Sequence, residues 1–68
     1  PAAKRYVEAM GGQETVRARA ADAAKAGELR WAATLLNHAV FNDSSDRAAR
    51  EQLADVYTKL GFEAEAGT

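Results

Sequence analysis

"LRWAATLLNHAVFND", residues 29–43, is the most apolar stretch of the chain, and an Asn-His pair sits in its middle. On a helical wheel at about 100° per residue, Trp31, Leu35, Ala39, Ala32, Leu36, Val40 and Ala33 sweep an apolar arc of about 200°. A helix with so wide an arc is either central among other helices or covered by protein outside its own chain. His38 falls at one border of the arc, beside Trp31, and Asn37 lies beyond the other border. Phe41 lies near the centre of the remaining polar arc, opposite Ala39. Its ring either packs on Ala49 or Tyr57 of the same chain or is held out for a partner.

The flanking segments read as three more helices, and no strand pattern occurs. In residues 2–10, Ala3, Tyr6, Val7 and Met10 share one face at i, i+3, i+4, i+7 spacing, with Lys4, Arg5 and Glu8 turned away. Gly11-Gly12 ends that helix, because glycine takes the left-handed cap conformation without a Cβ penalty. Residues 13–26 form the second helix, with Glu14 in its first turn where the helix dipole favours a negative charge. Its inner stripe of Val16, Ala20, Ala23 and Ala24 is small-sided and admits a close neighbour. Gly27 stops it, and the third helix covers residues 28–42. "DSSD" at 43–46 supplies N-cap candidates for a fourth helix over residues 46–60. Its stripe is Ala49, Leu53, Val56, Tyr57 and Leu60. Gly61 is expected to end it, with Phe62 packing back on the last turn.

The expected fold is therefore all-α: four antiparallel helices as stacked helix hairpins. "AGELRWA" around Gly27 and "LGFEAEA" around Gly61 lie 34 residues apart, and Ala20, Lys25 and Ala32 match Ala54, Lys59 and Ala66 at the same offset. That period is the tetratricopeptide spacing, so the stacking is expected to be tetratricopeptide-like, although few positions match and Ser44 stands where that repeat's turn usually has Pro.

Sixty-eight residues make one domain, or a fragment of one. A chain of this length buries only about 60% of its unfolded surface, so it needs a stabilising aid. With no Cys and a single His, disulfides and a structural zinc are poor candidates. A partner surface is the remaining aid, either a second copy or the rest of a longer protein. Nine basic and ten acidic residues give a net charge of −1 without a basic stripe, which argues against nucleic acid as partner. No apolar run approaches the roughly 20 residues of a membrane span, and nothing resembles a signal peptide. Pro1 at the start and Gly67-Thr68 at the end read as the edges of a piece of something longer, or of a processed product.

The Asn-His pair invites a catalytic or metal-binding reading. Acid-base or nucleophilic work needs a second group within hydrogen-bond reach, yet Asn37 and His38 leave the helix on different faces. Glu14, Asp22, Glu51 and Asp55 all fall on solvated faces. The expectation is a half-buried imidazole and amide, each bonded to backbone or to a neighbouring side chain. Arg30, beside Trp31, reads as a solvated charge.

Taken together, "AKRYVEAMGG" at 3–12, "AGELRWAATLLNHAVFND" at 26–43 and "AREQLADVYTKLGFEAEAG" at 49–67 resemble the helical dimerisation domain of the class III bacterial alkylsulfatases. Tyr6-Val7-Glu8, Met10-Gly11-Gly12, Arg30-Trp31, Asn37-His38, Val40-Phe41, Leu53-Ala54-Asp55 and Leu60-Gly61 stand at that family's positions, in order, over nearly the whole chain. Departures are Leu29 in place of the aromatic of a Gly-Asp-Tyr turn, Phe62 in place of Tyr, and Ser44 where Pro is common. The resemblance implies a bacterial parent that hydrolyses primary or secondary alkyl sulfates with zinc in a metallo-β-lactamase-like domain, with a lipid-carrier-like domain after the helical one. The family's His-x-His-x-Asp-His zinc motif is absent from these residues, so no metal ligand carries over and the chain is expected to be non-catalytic.

What carries over is a dimerisation role, with a second subunit or the parent's catalytic domain as partner. The interface candidates are Tyr6, Met10, Trp31, Leu35, Phe41 and Phe62. A different class of function is a stand-alone tetratricopeptide-like adaptor, with a peptide groove lined by Asn37, Arg50 or Lys59.

Overall fold

The computed structural model describes the backbone of residues 2–66, with side-chain surroundings for residues 2–61. Four helices follow in order: α1 (Ala2–Ala9), α2 (Gln13–Lys25), α3 (Leu29–Asn42) and α4 (Arg47–Ala66). No strand occurs among the described residues. The helices pack into a body of 37 × 21 × 19 Å, and α3 touches all three others.

The breaks after α1 and after α2 follow from glycine. Past α1 the Gly12 N–H donates to the Val7 carbonyl at 2.8 Å and the Gly11 N–H to that of Glu8 at 3.1 Å, with Gly11 at φ +106°. Past α2 the Glu28 N–H donates to the Ala23 carbonyl at 2.8 Å and the Gly27 N–H to that of Ala24 at 3.1 Å, with Gly27 at φ +83°. This paired pattern closes orphan carbonyls at the end of a helix and requires one left-handed residue, which a Cβ would penalise.

The expected stop at Gly61 does not occur. Its backbone stays helical and α4 continues through residues 62–66 to Ala66. A glycine permits a left-handed turn without compelling one, and the following "FEAEA" is rich in helix formers. Gly27 and Gly61, whose 34-residue offset suggested the repeat, thus adopt different conformations. The expected packing of Phe62 on the last turn lies outside the described side chains.

The core is built where the wheel put it. Leu35, Leu36, Ala32 and Ala39 of α3 have no solvent exposure, and Leu29 and Ala33 are also buried. Val16, Ala20 and Ala23 of α2, Val7 of α1 and Ala49 and Val56 of α4 close around them. The alanines of α2 leave room for the leucines of α3. Burying each large aliphatic side chain stabilises the fold by about 1.5–3 kcal/mol relative to exposure. Tyr6, Met10, Ala24, Val40, Leu53 and Leu60 form a half-buried margin.

Candidate functional site

The opening segment leaves one side of α3 outward. Its buried residues occupy about 160° of the wheel, and Arg30, Trp31, Thr34, Asn37, His38 and Phe41 share the rest. Phe41 is 81% exposed and Trp31 45% exposed, so Phe41 is not covered by Ala49 or Tyr57 of its own chain. Tyr57 of α4, half exposed itself, borders this face. Trp31 and Phe41 thus leave two large rings outward on one face of α3.

The Asn-His pair is bonded as expected and does not converge on one point. Asn37 Nδ2 donates to the Tyr57 hydroxyl at 3.0 Å, linking α3 to α4. His38 Nδ1 lies 2.8 Å from the Thr34 carbonyl oxygen. A carbonyl only accepts, so Nδ1 carries a proton and donates it to that oxygen. The imidazole stacks on Tyr6 of α1, centroids 3.8 Å apart and planes 19° from parallel. Asn37 thus links α3 to α4, and His38 stacks against α1. Glu14, Asp22, Glu51 and Asp55 are exposed, as expected, and stand on helices other than α3.

The other expected interface residues divide. Tyr6 and Met10 are half-buried at the margin of the core. Leu35 is fully buried within the chain and offers nothing to a partner. The wheel placed it on the apolar arc, and α1, α2 and α4 take up that arc entirely. Phe62 lies outside the described side chains.

A polar cluster that the sequence did not announce ties three helix ends together. Gln13, at the start of α2, donates from Nε2 to the Ala39 carbonyl at 2.8 Å and to Asp46 Oδ2 at 2.9 Å, and accepts from Asn42 Nδ2 at 3.0 Å. Arg17 pairs with the same Asp46 carboxylate, whose side chain is only 8% exposed. Asp46 Oδ1 caps α4, accepting from the Ala49 N–H at 3.1 Å. Gln52 Nε2 donates to the Arg17 carbonyl at 3.1 Å. Desolvation alone would push the Asp46 carboxyl up, but the hydrogen bonds from Gln13, Ala49 and Arg17 and the Arg17 charge outweigh it and hold it below the ordinary 3.8. Asp46 was legible as a cap. Its partners lie 29 and 33 residues away in sequence, and no local signal pairs them.

Described residues also line two shallow hollows. One of about 370 Å³ is lined by Arg19, Asp22, Glu28 and Trp31 among others. The other, about 230 Å³, lies between α2 and α4 and is lined by Lys25, Gln52, Asp55 and Lys59 among others. Of Asn37, Arg50 and Lys59, the expected peptide-groove residues, only Lys59 lines it. No group of three His, Cys, Asp or Glu side chains among the described residues is placed to hold a metal. No helix among the described residues is long and apolar enough to cross a membrane.

A family described as alkyl sulfatase dimerisation matches residues 1–68, the whole chain. The chain belongs to this family. It is 43% identical over 65 residues to a linear primary-alkylsulfatase of a Pseudomonas species and 47% identical over 66 residues to the alkyl/aryl-sulfatase BDS1 of Saccharomyces cerevisiae. An (R)-specific secondary-alkylsulfatase of Pseudomonas is 45% identical over 64 residues. These matches cover 96%, 97% and 94% of the chain, and in each case 10% of the relative. The chain thus spans about one tenth of the length of the curated relatives it matches. With a yeast protein among them, membership alone does not assign the family member to bacteria. No solved structure matches.

Proposed function

We propose that this chain is a non-catalytic helical segment through which subunits of an alkyl sulfatase associate. The family match over all 68 residues carries this reading, and the outward Trp31 and Phe41 supply a surface suited to it. Residues 1–68 form one helical dimerisation-type domain or a fragment of one. The hydrolysis of alkyl sulfate esters belongs to a longer parent, in a zinc-binding domain of the metallo-β-lactamase type that these residues do not supply. The partner is a second copy, and the parent's catalytic domain is a further neighbour. Tyr6, Met10, Trp31 and Phe41 are the interface residues of this reading, with Asn37 and His38 as structural ties.

Sedimentation of the 68-residue chain across the micromolar to millimolar range tests it. Reversible self-association toward twice the 7.3 kDa protomer mass is the expected result. A monomer at every concentration overturns the reading.

A further inference from the structure

We propose that α3 pairs with α3 of a second copy, antiparallel about a two-fold axis, so that Trp31 of each chain rests against Phe41 of the other. This rests on the dimerisation reading and specifies its contact.

The spacing of the outward residues motivates it. Trp31, Thr34, His38 and Phe41 follow one another at i, i+3, i+7 and i+10, within about 80° of the wheel. That is the repeat of a helix-pairing seam, and here it faces outward on the side opposite the core. The two rings stand at its ends, about 15 Å apart along the axis, with the smaller Thr34 and His38 between them. A two-fold contact is self-complementary: if residue i meets j, then j meets i. Reversing the seam on itself brings each ring onto the other, and Thr34 opposite His38. The Tyr6 stack and the Thr34 carbonyl bond hold the imidazole in place for that contact.

Charge selects the direction. Arg30 is exposed at the start of α3 and has no ionic partner among the described residues. Antiparallel pairing opposes the helix dipoles and keeps the two Arg30 side chains about 18 Å apart along the axis. Parallel pairing would set Arg30 against Arg30. The exposed portions of the two rings offer roughly 300 Å² per copy, against roughly 800 Å² a side in a stable complex. The 68-residue chain alone is therefore a weak dimer, read best at high concentration.

Two surface variants, Trp31→Lys and Phe41→Glu, test the register, with helical circular dichroism confirming that each folds. Alone, each breaks both ring contacts and weakens self-association by at least about tenfold, as loss of an aromatic anchor does. Mixed in equal amounts they recover most of it, because the heterodimer keeps one intact ring pair and places the new ammonium against the new carboxylate. Variants that associate like the unmodified chain overturn the α3 seam while leaving dimerisation standing. Failure of the mixture to recover overturns the antiparallel register. An unmodified chain that stays monomeric overturns the dimerisation reading itself.

Discussion

The Asp46 carboxylate accepts from Gln13, Arg17 and the Ala49 N–H, and Asp46→Ala tests what those bonds are worth. The substitution removes the cap of α4, worth about 1 kcal/mol, and the charge-assisted bond to Arg17, worth about 1.5–3 kcal/mol. Arg17 is 27% exposed and Gln13 keeps its Ala39 bond, so water and the remaining contacts recover part of this. The expected loss is about 2–3 kcal/mol. A 68-residue domain has about 3–10 kcal/mol in all. At about 4–8 °C per kcal/mol for this size, the melting midpoint falls by about 10–20 °C. Asp46→Asn keeps an oxygen for the cap and loses only the charge, so it falls roughly half as far. Thermal melts followed by circular dichroism, at one fixed protomer concentration because association shifts apparent stability, give both numbers.

The same site carries a pH signature. Its folded carboxyl titrates below its unfolded value, so it binds fewer protons when folded, and its contribution is fully present above the unfolded value. The contribution is lost as pH falls from there through the folded value. The stability difference between the unmodified chain and Asp46→Asn is therefore flat above about pH 5 and shrinks below about pH 4. An Asp46→Ala midpoint within about 2 °C of the unmodified chain, well under the shift that 1 kcal/mol produces, would refute the reasoning.

Two further changes probe the helix ends and the core. Gly27→Ala forces a Cβ into φ +83° and is expected to destabilise by about 1–2 kcal/mol. Gly61→Ala, in a helical position with open space where its Cβ would lie, should stabilise by about 0.5–1 kcal/mol. Paired urea titrations of the two variants check the opposite signs. Ala20→Leu, in the small-sided stripe of α2 at 1% exposure, overfills the contact with α3 and should cost about 1–3 kcal/mol by the same measurement.

The helices and most of the core were legible because both rest on local periodicity. The arc on α3, the alanine stripe on α2 and the glycine stops all follow from spacing within one segment. Gly61 was misread because a helix end needs a reason to turn, and glycine supplies only permission. Leu35 was placed at an interface because a wheel shows which side is apolar without showing how many neighbours crowd it. Phe41 was the informative residue: a large ring on the polar arc, found 81% exposed. The Gln13–Arg17–Asn42–Asp46 cluster was not legible at all, since its members meet only when three helix ends converge.

The manner in which α1 is held has its own consequence. It seals only Val7 fully, joins α2 through two glycines at positive φ, and leans chiefly on α3. Its amides are thus expected to exchange with solvent through a local opening, well before those of α3, whose release requires the whole domain to come apart. Such an opening would lift Tyr6 from His38, giving the molecule a peripheral layer that breathes on its own over a nucleus that does not.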